Sequence, residues 1–205
     1  LDGFGEKTAT NLLDSIQRRA TYRKLHRLGT ALPAAQSLLT HLRACPDVHQ
    51  AEIAGSLRRG KEIVKDLDLI ASSNQPKEVM KVFVSAPNVE KVVAHGETKS
   101  SVILTGGIPC DLRVVPPEAW PTALAHFTGS KEHNIALRQR AIDQGLHLSE
   151  WGLLKGKSKT PLKLKDEKDL HQALGLSFIP PELREDSGEV AAAEKNELPD
   201  LLTRD

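Results

Sequence analysis

Asp66-Leu67-Asp68-Leu69-Ile70 is the stretch on which the fold turns. Polar and apolar residues alternate and then run apolar into Ala71, the pattern of a strand with one face in a core. Residues two apart on a strand share a face. Asp66 and Asp68 therefore point one way, and Leu67 and Leu69 the other. Two carboxylates held this close repel unless a cation lies between them, and hard ions such as Mg²⁺ take oxygen ligands. Taken alone, the pair also suits two solvated acids on an edge strand.

Upstream, Gly55-Ser56-Leu57-Arg58-Arg59-Gly60 follows a predicted strand at 48–54. A Gly-Ser turn leaving a strand offers backbone N–H groups to an anion, and Arg59 adds a fixed fork of donors. Downstream, in Cys110-Asp111-Leu112-Arg113-Val114, Asp111 and Arg113 share one strand face. A third carboxylate from a neighbouring strand completes a site for two metal ions ~3.5–4 Å apart. An anion-binding turn feeding a group of carboxylates is the layout that metal-assisted phosphoryl chemistry needs.

Outward from this centre, helical spacing is expected from Ala9 to Ile16 and over 31–44, 76–85, 118–127 and 132–144. Further strands are expected at 89–94, 102–104 and 110–115. After Trp151 a lysine-rich hairpin should lead to a short helix near 166–174. Helices, a mixed sheet, helices and a tail make an α+β layout. The 205 residues are 39% hydrophobic and 27% charged, enough for a packed core. No apolar run approaches the ~20 residues of a membrane span. Two cysteines, Cys45 and Cys110, exclude a disulfide scaffold and a four-cysteine zinc module, and both read as small core residues. The net charge is only +1, but it is unevenly spread. Residues 155–168 carry six lysines against two acids, and 179–205 carry eight acids against three bases. Basic stretches suit a polyanion partner for the body, and the acidic tail reads as a solvated segment.

Gly55-Ser56, Asp66-x-Asp68 and Asp111 together resemble the nucleotidyltransferase signature of the polymerase-beta superfamily. Phe127-Thr128-Gly129-Ser130-Lys131-Glu132-His133-Asn134 narrows the resemblance to the family X DNA polymerases, bacterial branch. It implies an α+β fold: a nucleotidyltransferase palm with a mixed β-sheet at 28–118, flanked by a helix-hairpin-helix fingers segment at 1–27 and a small α/β nucleotide-selecting thumb at 119–179. Residues 180–205 would be an acidic linker. Its start, Ile179-Pro180-Pro181-Glu182-Leu183, resembles the connector to a metal-dependent phosphoesterase (PHP) domain, so the chain reads as a catalytic core from a longer protein.

The implied roles are specific. Asp66, Asp68 and Asp111 would bind two Mg²⁺ ions, with Mn²⁺ as a substitute, and Asp111 would help deprotonate a primer 3′-hydroxyl. Gly55, Ser56 and Arg59 would hold the triphosphate. His126, Phe127 and Gly129 would meet the sugar, with a cis peptide between Gly129 and Ser130. Asn134 and Arg138 would reach the minor-groove edge. Arg113 would swing between Asp68 and the pair Glu150/Trp151. Gly96-Glu97-Thr98-Lys99 looks like a template-side loop, with Lys99 on DNA. Gly3-Phe4-Gly5, with Lys7, resembles a hairpin that offers N–H groups to a DNA phosphate. Three positions depart from the family pattern: His126 for a usual Tyr, Lys65 for a common Gly, and Pro109 where some members place a basic residue. An imidazole at 126 can take a charge near neutral pH.

The expected activity is template-directed, repair-type DNA synthesis from deoxynucleoside triphosphates on primer-template or gapped DNA, in base excision or end joining. The protein would be a monomer without membrane attachment, cytoplasmic and associated with the nucleoid. A template-independent nucleotidyltransferase and an inactive DNA-binding module are the alternatives. The first would not need Phe127 to Asn134, and the second would not need three carboxylates.

Overall fold

The computed structural model describes residues 25–201, so the expected hairpin with Gly3, Gly5 and Lys7, and the helix from Ala9, lie outside the described residues. Strand β1 (His26–Arg27) leads into helix α1 (Leu28–Arg43). Strand β2 (Gln50–Ala54) is followed by a one-turn helix α2 (Gly55–Arg58), then β3 (Ile63–Val64) and β4 (Leu67–Ser72). Helix α3 (Pro76–Val84) precedes β5 (Val89–His95), β6 (Lys99–Leu104) and β7 (Ile108–Val115). A 3-10 turn at Pro117–Ala119 opens α4 (Trp120–Thr128), which is followed by α5 (Lys131–Asp143). The hairpin β8 (Leu146–Ser149)–β9 (Gly152–Lys155), α6 (Glu167–Ala173), a 3-10 turn at Pro181–Leu183 and α7 (Glu189–Lys195) complete the described chain. No helix among the described residues is long and apolar enough to cross a membrane.

The central sheet runs β2-β4-β7-β6-β5, with only β4 and β7 parallel. It is the expected mixed sheet. Period-two alternation sorts its faces. Leu67, Leu69, Cys110, Leu112 and Val114 pack against α1 and α3 through Leu38, Leu42, Val79, Met80 and Phe83. Both cysteines are free and buried in this unit. On the other face Ile70 and Val115 meet Ala119, Trp120, Ala123 and Leu124 around α4. Helix α4 covers only part of that face, and Asp68 and Asp111 lie on the uncovered part, half-buried beside each other across the parallel pair.

A separate core gathers Ala125, Leu137, Ala141, Leu153, Leu170, Leu174, Ile179 and Ala193. Two elements differ from the sequence reading. The hairpin turns at Glu150-Trp151, ahead of the lysines, because Gly152 (φ 151°) supplies a backbone shape few other residues adopt. The lysines of 155–168 stand exposed around the loop that follows.

The larger correction concerns residues 180–195, which are not a solvated linker. Arg184 is fully buried, and Glu189 and Ala193 are nearly so. Three of the acids that made the segment look solvated have a base to meet. Glu185 pairs with Arg59 and Lys61, and Glu194 with Arg140. His133 Nδ1–H donates to Glu189 at 2.7 Å.

The two cores are tied by a buried charge cluster. Arg58, on α2, donates through both terminal nitrogens to the Glu167 carboxylate and through Nη1 to Thr128 Oγ1 at 2.6 Å. Arg184 donates Nη1–H to the same carboxylate at 2.6 Å, and its Nε–H to Ile179 O at 3.0 Å. Burial alone would raise the Glu167 carboxyl, but the two guanidiniums more than offset this and hold it below its ordinary range. Removing one partner of such a cluster strands charge in the interior and costs ~3–5 kcal/mol. Glu167→Gln should therefore destabilise the protein by about that amount in urea unfolding at pH 7. A carboxyl lowered in the folded state stabilises above its unfolded pKa and loses that contribution as pH falls through its folded value. The difference between variant and parent should accordingly shrink in acid. A loss below about 1 kcal/mol at pH 7 would show that the cluster does not hold the units together.

Candidate active site

Sheet register builds the site. Ala54 pairs with Asp68, Asp68 with Asp111, and Asp111 with Ser101, so one row across β2, β4, β7 and β6 carries two carboxylates beside the end of β2. Asp66 lies just before β4 and is exposed. Gly55 follows Ala54 at φ 60°, and a Cβ there would collide with Oδ2 of Asp68. Glycine is therefore required twice, for the turn and for the approach of the carboxylate.

The carboxylates stress one another. Asp68 is pushed from 3.8 up to about 6, first by burial and then by the charges of Asp66 and Asp111, with Lys99 and Arg59 acting in the opposite sense. Lys99 places its Nζ 2.8 Å from Asp111 Oδ2 while its side chain stays half exposed. Among the described residues no three His, Cys, Asp or Glu side chains are gathered closely enough to hold a metal ion unaided. The donor set nevertheless fits a hard divalent cation. All its ligand atoms are carboxylate oxygens, and their mutual repulsion is what a cation between them relieves. Lys99 meets part of that demand at Asp111.

An open cleft of about 660 Å³ runs from this row to the α4–α5 junction. Gly55, Ser56, Arg59, Asp66 and Asp68 line one side, and His126, Phe127, Gly129, Asn134 and Arg138 the other. Asp111, Lys99 and Arg113 border a smaller hollow of about 60 Å³ that shares Asp68 and Phe127 with the cleft. The sequence reading thus names residues that the fold does bring together. The Gly129–Ser130 peptide is cis, as the resemblance implied.

Several side chains are engaged differently from the expectation. Arg113 lies over the Phe127 ring, 5.0 Å from its centroid, and pairs with neither Asp68 nor Glu150 among the described residues. Glu150 and Trp151 sit at the β8–β9 turn and do not line the cleft. Asn134 donates to His126 O at 2.7 Å, and Arg138 Nη2 donates to His126 Nδ1 at 3.1 Å. A guanidinium cannot accept, so Nδ1 carries no proton here. Burial lowers the His126 pKa, with Arg138 and Arg113 adding to the effect against Glu150. Burial and the Arg138 contact both favour the neutral imidazole over the charged form that the residue type allows near neutral pH.

Arg59 is held from two sides. Its Nη1–H donates to Thr128 O at 2.6 Å, and its Nε–H to Glu185 Oε1 at 2.7 Å. Lys61 Nζ lies 3.0 Å from the same oxygen. Arg58, Lys61, Thr128, Glu167 and Glu185 were not singled out from sequence. The signal available was the Arg58-Arg59 pair itself. On a single helical turn adjacent residues point in different directions, so only one can face the cleft and the other needs a buried partner.

Residues 123–185 match the family described as DNA polymerase beta thumb, which begins within α4 and takes in the Arg184–Glu185 segment. The chain is 38% identical over 192 residues to the DNA polymerase/3'-5' exonuclease PolX of Bacillus subtilis (strain 168), covering 93% of this chain and 34% of that protein. It is 30% identical over 139 residues to a Repair DNA polymerase X of African swine fever virus (isolate Tick/South Africa/Pretoriuskop Pr4/1996), covering 63% of this chain and 78% of the viral protein. The chain belongs to the family X DNA polymerases. Human DNA-directed DNA/RNA polymerase mu shares 39% identity over 75 residues, 36% of this chain and 15% of that protein. The chain thus spans about a third of the length of its bacterial relative and most of the viral one. Within family X terms, the central sheet with α1 to α3 is the palm, and the second core is the thumb.

The raised Asp68 pKa has a consequence for stability. A carboxyl that binds its proton more tightly when folded weakens the fold as pH rises from its unfolded value through about 6. By pH 7 the deficit is fully developed, about 3 kcal/mol on the usual conversion. Asp68→Asn should thus stabilise the metal-free protein by ~2–3 kcal/mol at pH 7, with the gain disappearing below about pH 4. Thermal or urea unfolding of both proteins across pH 4–8 provides the check. Equal stability at pH 7 contradicts the electrostatic account of the site.

Proposed function

We propose that the protein is a template-directed, repair-type DNA polymerase that adds a nucleotide from a deoxynucleoside triphosphate to a primer 3′-hydroxyl. The observation that carries this reading is the row Ala54–Asp68–Asp111, with Gly55 against the Asp68 carboxylate, facing the 126–130 turn across one cleft. The bacterial and viral relatives, both named as DNA polymerases, support it.

In the reaction, the 3′-oxygen bonds to the α-phosphorus, the bond from that phosphorus to the bridging oxygen breaks, and pyrophosphate leaves. Asp66, Asp68 and Asp111 would hold two Mg²⁺ ions, with Mn²⁺ as a substitute. Such ions supply Lewis-acid stabilisation of charge on the reacting oxygens and lower the pKa of the attacking hydroxyl. Asp111 accepts the 3′ proton, which requires Lys99 to leave its present partner. The backbone N–H groups after Gly55, with Ser56 and Arg59, bind the triphosphate. The ring of Phe127 takes the sugar on its free side while Arg113 covers the other. Asn134 and Arg138 reach the base pair once they let go of His126. Partners are primer-template or gapped DNA and a deoxynucleoside triphosphate, met by a monomer at the nucleoid. The thumb that accompanies the carboxylates favours this reading over template-independent transfer to a small acceptor.

Primer extension with and without template is the test. The parent protein should extend in a template-dependent, Mg²⁺-dependent manner. Asp111→Ala should lose at least ~10²–10³-fold in kcat, the scale set by removing one pre-organised charge-stabilising group. Gly55→Ala should lose comparable activity because its Cβ drives into Asp68. DNA affinity should fall steeply between 50 and 200 mM salt, as phosphate contacts require. Full activity of Asp111→Ala contradicts the assignment, and extension indifferent to template moves it to the transferase class.

A further inference from the structure

Neither the metal nor the sugar reading uses two acids of the cleft, Glu132 and Glu185, and of these Glu185 is the one paired with bases among the described residues. Glu185 lies on the segment after the Pro181–Leu183 turn, reached through thumb residues far from the palm in sequence, yet it lines the same cleft as Ser56, Arg59 and Asp68. Its Oε1 accepts from Arg59 Nε at 2.7 Å and meets Lys61 Nζ at 3.0 Å. Both cations flank the turn where the triphosphate would sit. Glu185 is thus a carboxylate on the very guanidinium that an anionic ligand needs, while the other arm of Arg59 remains clamped on Thr128 O.

We infer that Glu185 is a specificity-determining counter-anion that occupies Arg59 and Lys61 in the nucleotide-free protein and competes with the triphosphate and pyrophosphate for them. The inference rests on the polymerase reading above, and it adds a residue that sets how tightly that cleft holds polyphosphate. The chemistry is direct. Two oxygens of a phosphate present the same bidentate acceptor to a guanidinium as a carboxylate does. A triphosphate brought beside an unreleased Glu185 would meet like charge at short range. Glu185 must therefore give up Arg59 Nε when nucleotide binds and reclaim it when pyrophosphate leaves. The carboxylate is part-exposed, which permits the exchange without opening the thumb core. Neighbouring Arg58 cannot substitute for Arg59, since its fork is committed to Glu167 and Thr128.

Glu185→Gln keeps the size and an acceptor oxygen for Arg59 while removing the charge. Calorimetric binding of Mg²⁺·dATP to the full chain, which needs no turnover, should tighten by roughly three- to tenfold, the scale of one part-exposed ion pair. In primer extension the gain should fall on KM and on the Ki of added pyrophosphate far more than on kcat. Glu185→Asp should restore values near the parent. The difference between Gln and parent should shrink at high salt, which a purely structural loss would not do. In the unmodified protein, the Arg59 Nε–H resonance should move when Mg²⁺·dATP is added, a readout that needs no variant. Unchanged or weaker binding by Glu185→Gln, or an unmoved Arg59 Nε–H resonance at saturating nucleotide, overturns the inference. Absence of primer extension by the parent protein would instead count against the polymerase reading, because the binding comparison stands without it.

Discussion

The shared carboxylate of Glu167 is the interaction on which the rest depends. It binds Arg58 from the palm and Arg184 from the end of the thumb, and Glu167 and Arg184 are almost fully shielded from water. Arg58 is the last residue of the α2 turn, next to Arg59 and three residues from Gly55. Fixing Arg58 into the thumb therefore fixes the position of the turn relative to the 126–130 segment, and so sets the width of the cleft. A buried ion pair is a weak source of net stability but a strong constraint on geometry, since every alternative packing leaves a charge without a partner. Here it links the phosphate side of the cleft to the sugar side. His171, which donates its Nδ1–H to Glu167 O and is held neutral by burial at about 4, packs beside the cluster without adding another charge.

The other end of the cleft is built on the opposite principle. Where the cluster sets two guanidiniums around one shared carboxylate, the sheet row gathers like charges. Asp68 is squeezed between burial and two other carboxylates, and only Lys99 and Arg59 counter it. Such a site weakens the folded chain in exchange for affinity toward a cation. Three basic groups near the cleft are meanwhile held by internal partners: Lys99 by Asp111, Arg59 by Glu185 and Thr128, and Arg138 by His126.

The sheet and its carboxylates were legible because their signals are local. Alternation at 66–70 and 110–114 fixes the faces, and Gly55-Ser56 marks the end of a strand; the register then brings Asp68 and Asp111 side by side. The 126–134 stretch was singled out through its resemblance to a family pattern, and the fold brings it to the same cleft. What escaped was everything that depends on a partner distant in sequence. The segment 180–195 reads as acidic and solvated by composition, yet Glu185 meets a base 126 residues earlier and Glu189 one 56 residues earlier. Pairing of that kind leaves no trace in local charge counts. Lys99, Arg113 and Arg138 were placed in the right neighbourhood, but whether each faces outward or folds onto Asp111, Phe127 or His126 is decided by tertiary contacts.

The central claim is that the carboxylate row on the open face of the sheet is a paired metal site completed by nucleotide. Titration of the protein with Mn²⁺, followed by electron paramagnetic resonance in the presence of a non-hydrolysable deoxynucleoside triphosphate, measures it most directly. The account predicts two ions bound per chain with nucleotide present, spin-coupled at the ~3.5–4 Å separation of a two-metal centre, and loss of that coupled signal in Asp68→Asn. A single isolated ion in the parent protein, or a coupled signal that survives Asp68→Asn, would contradict it.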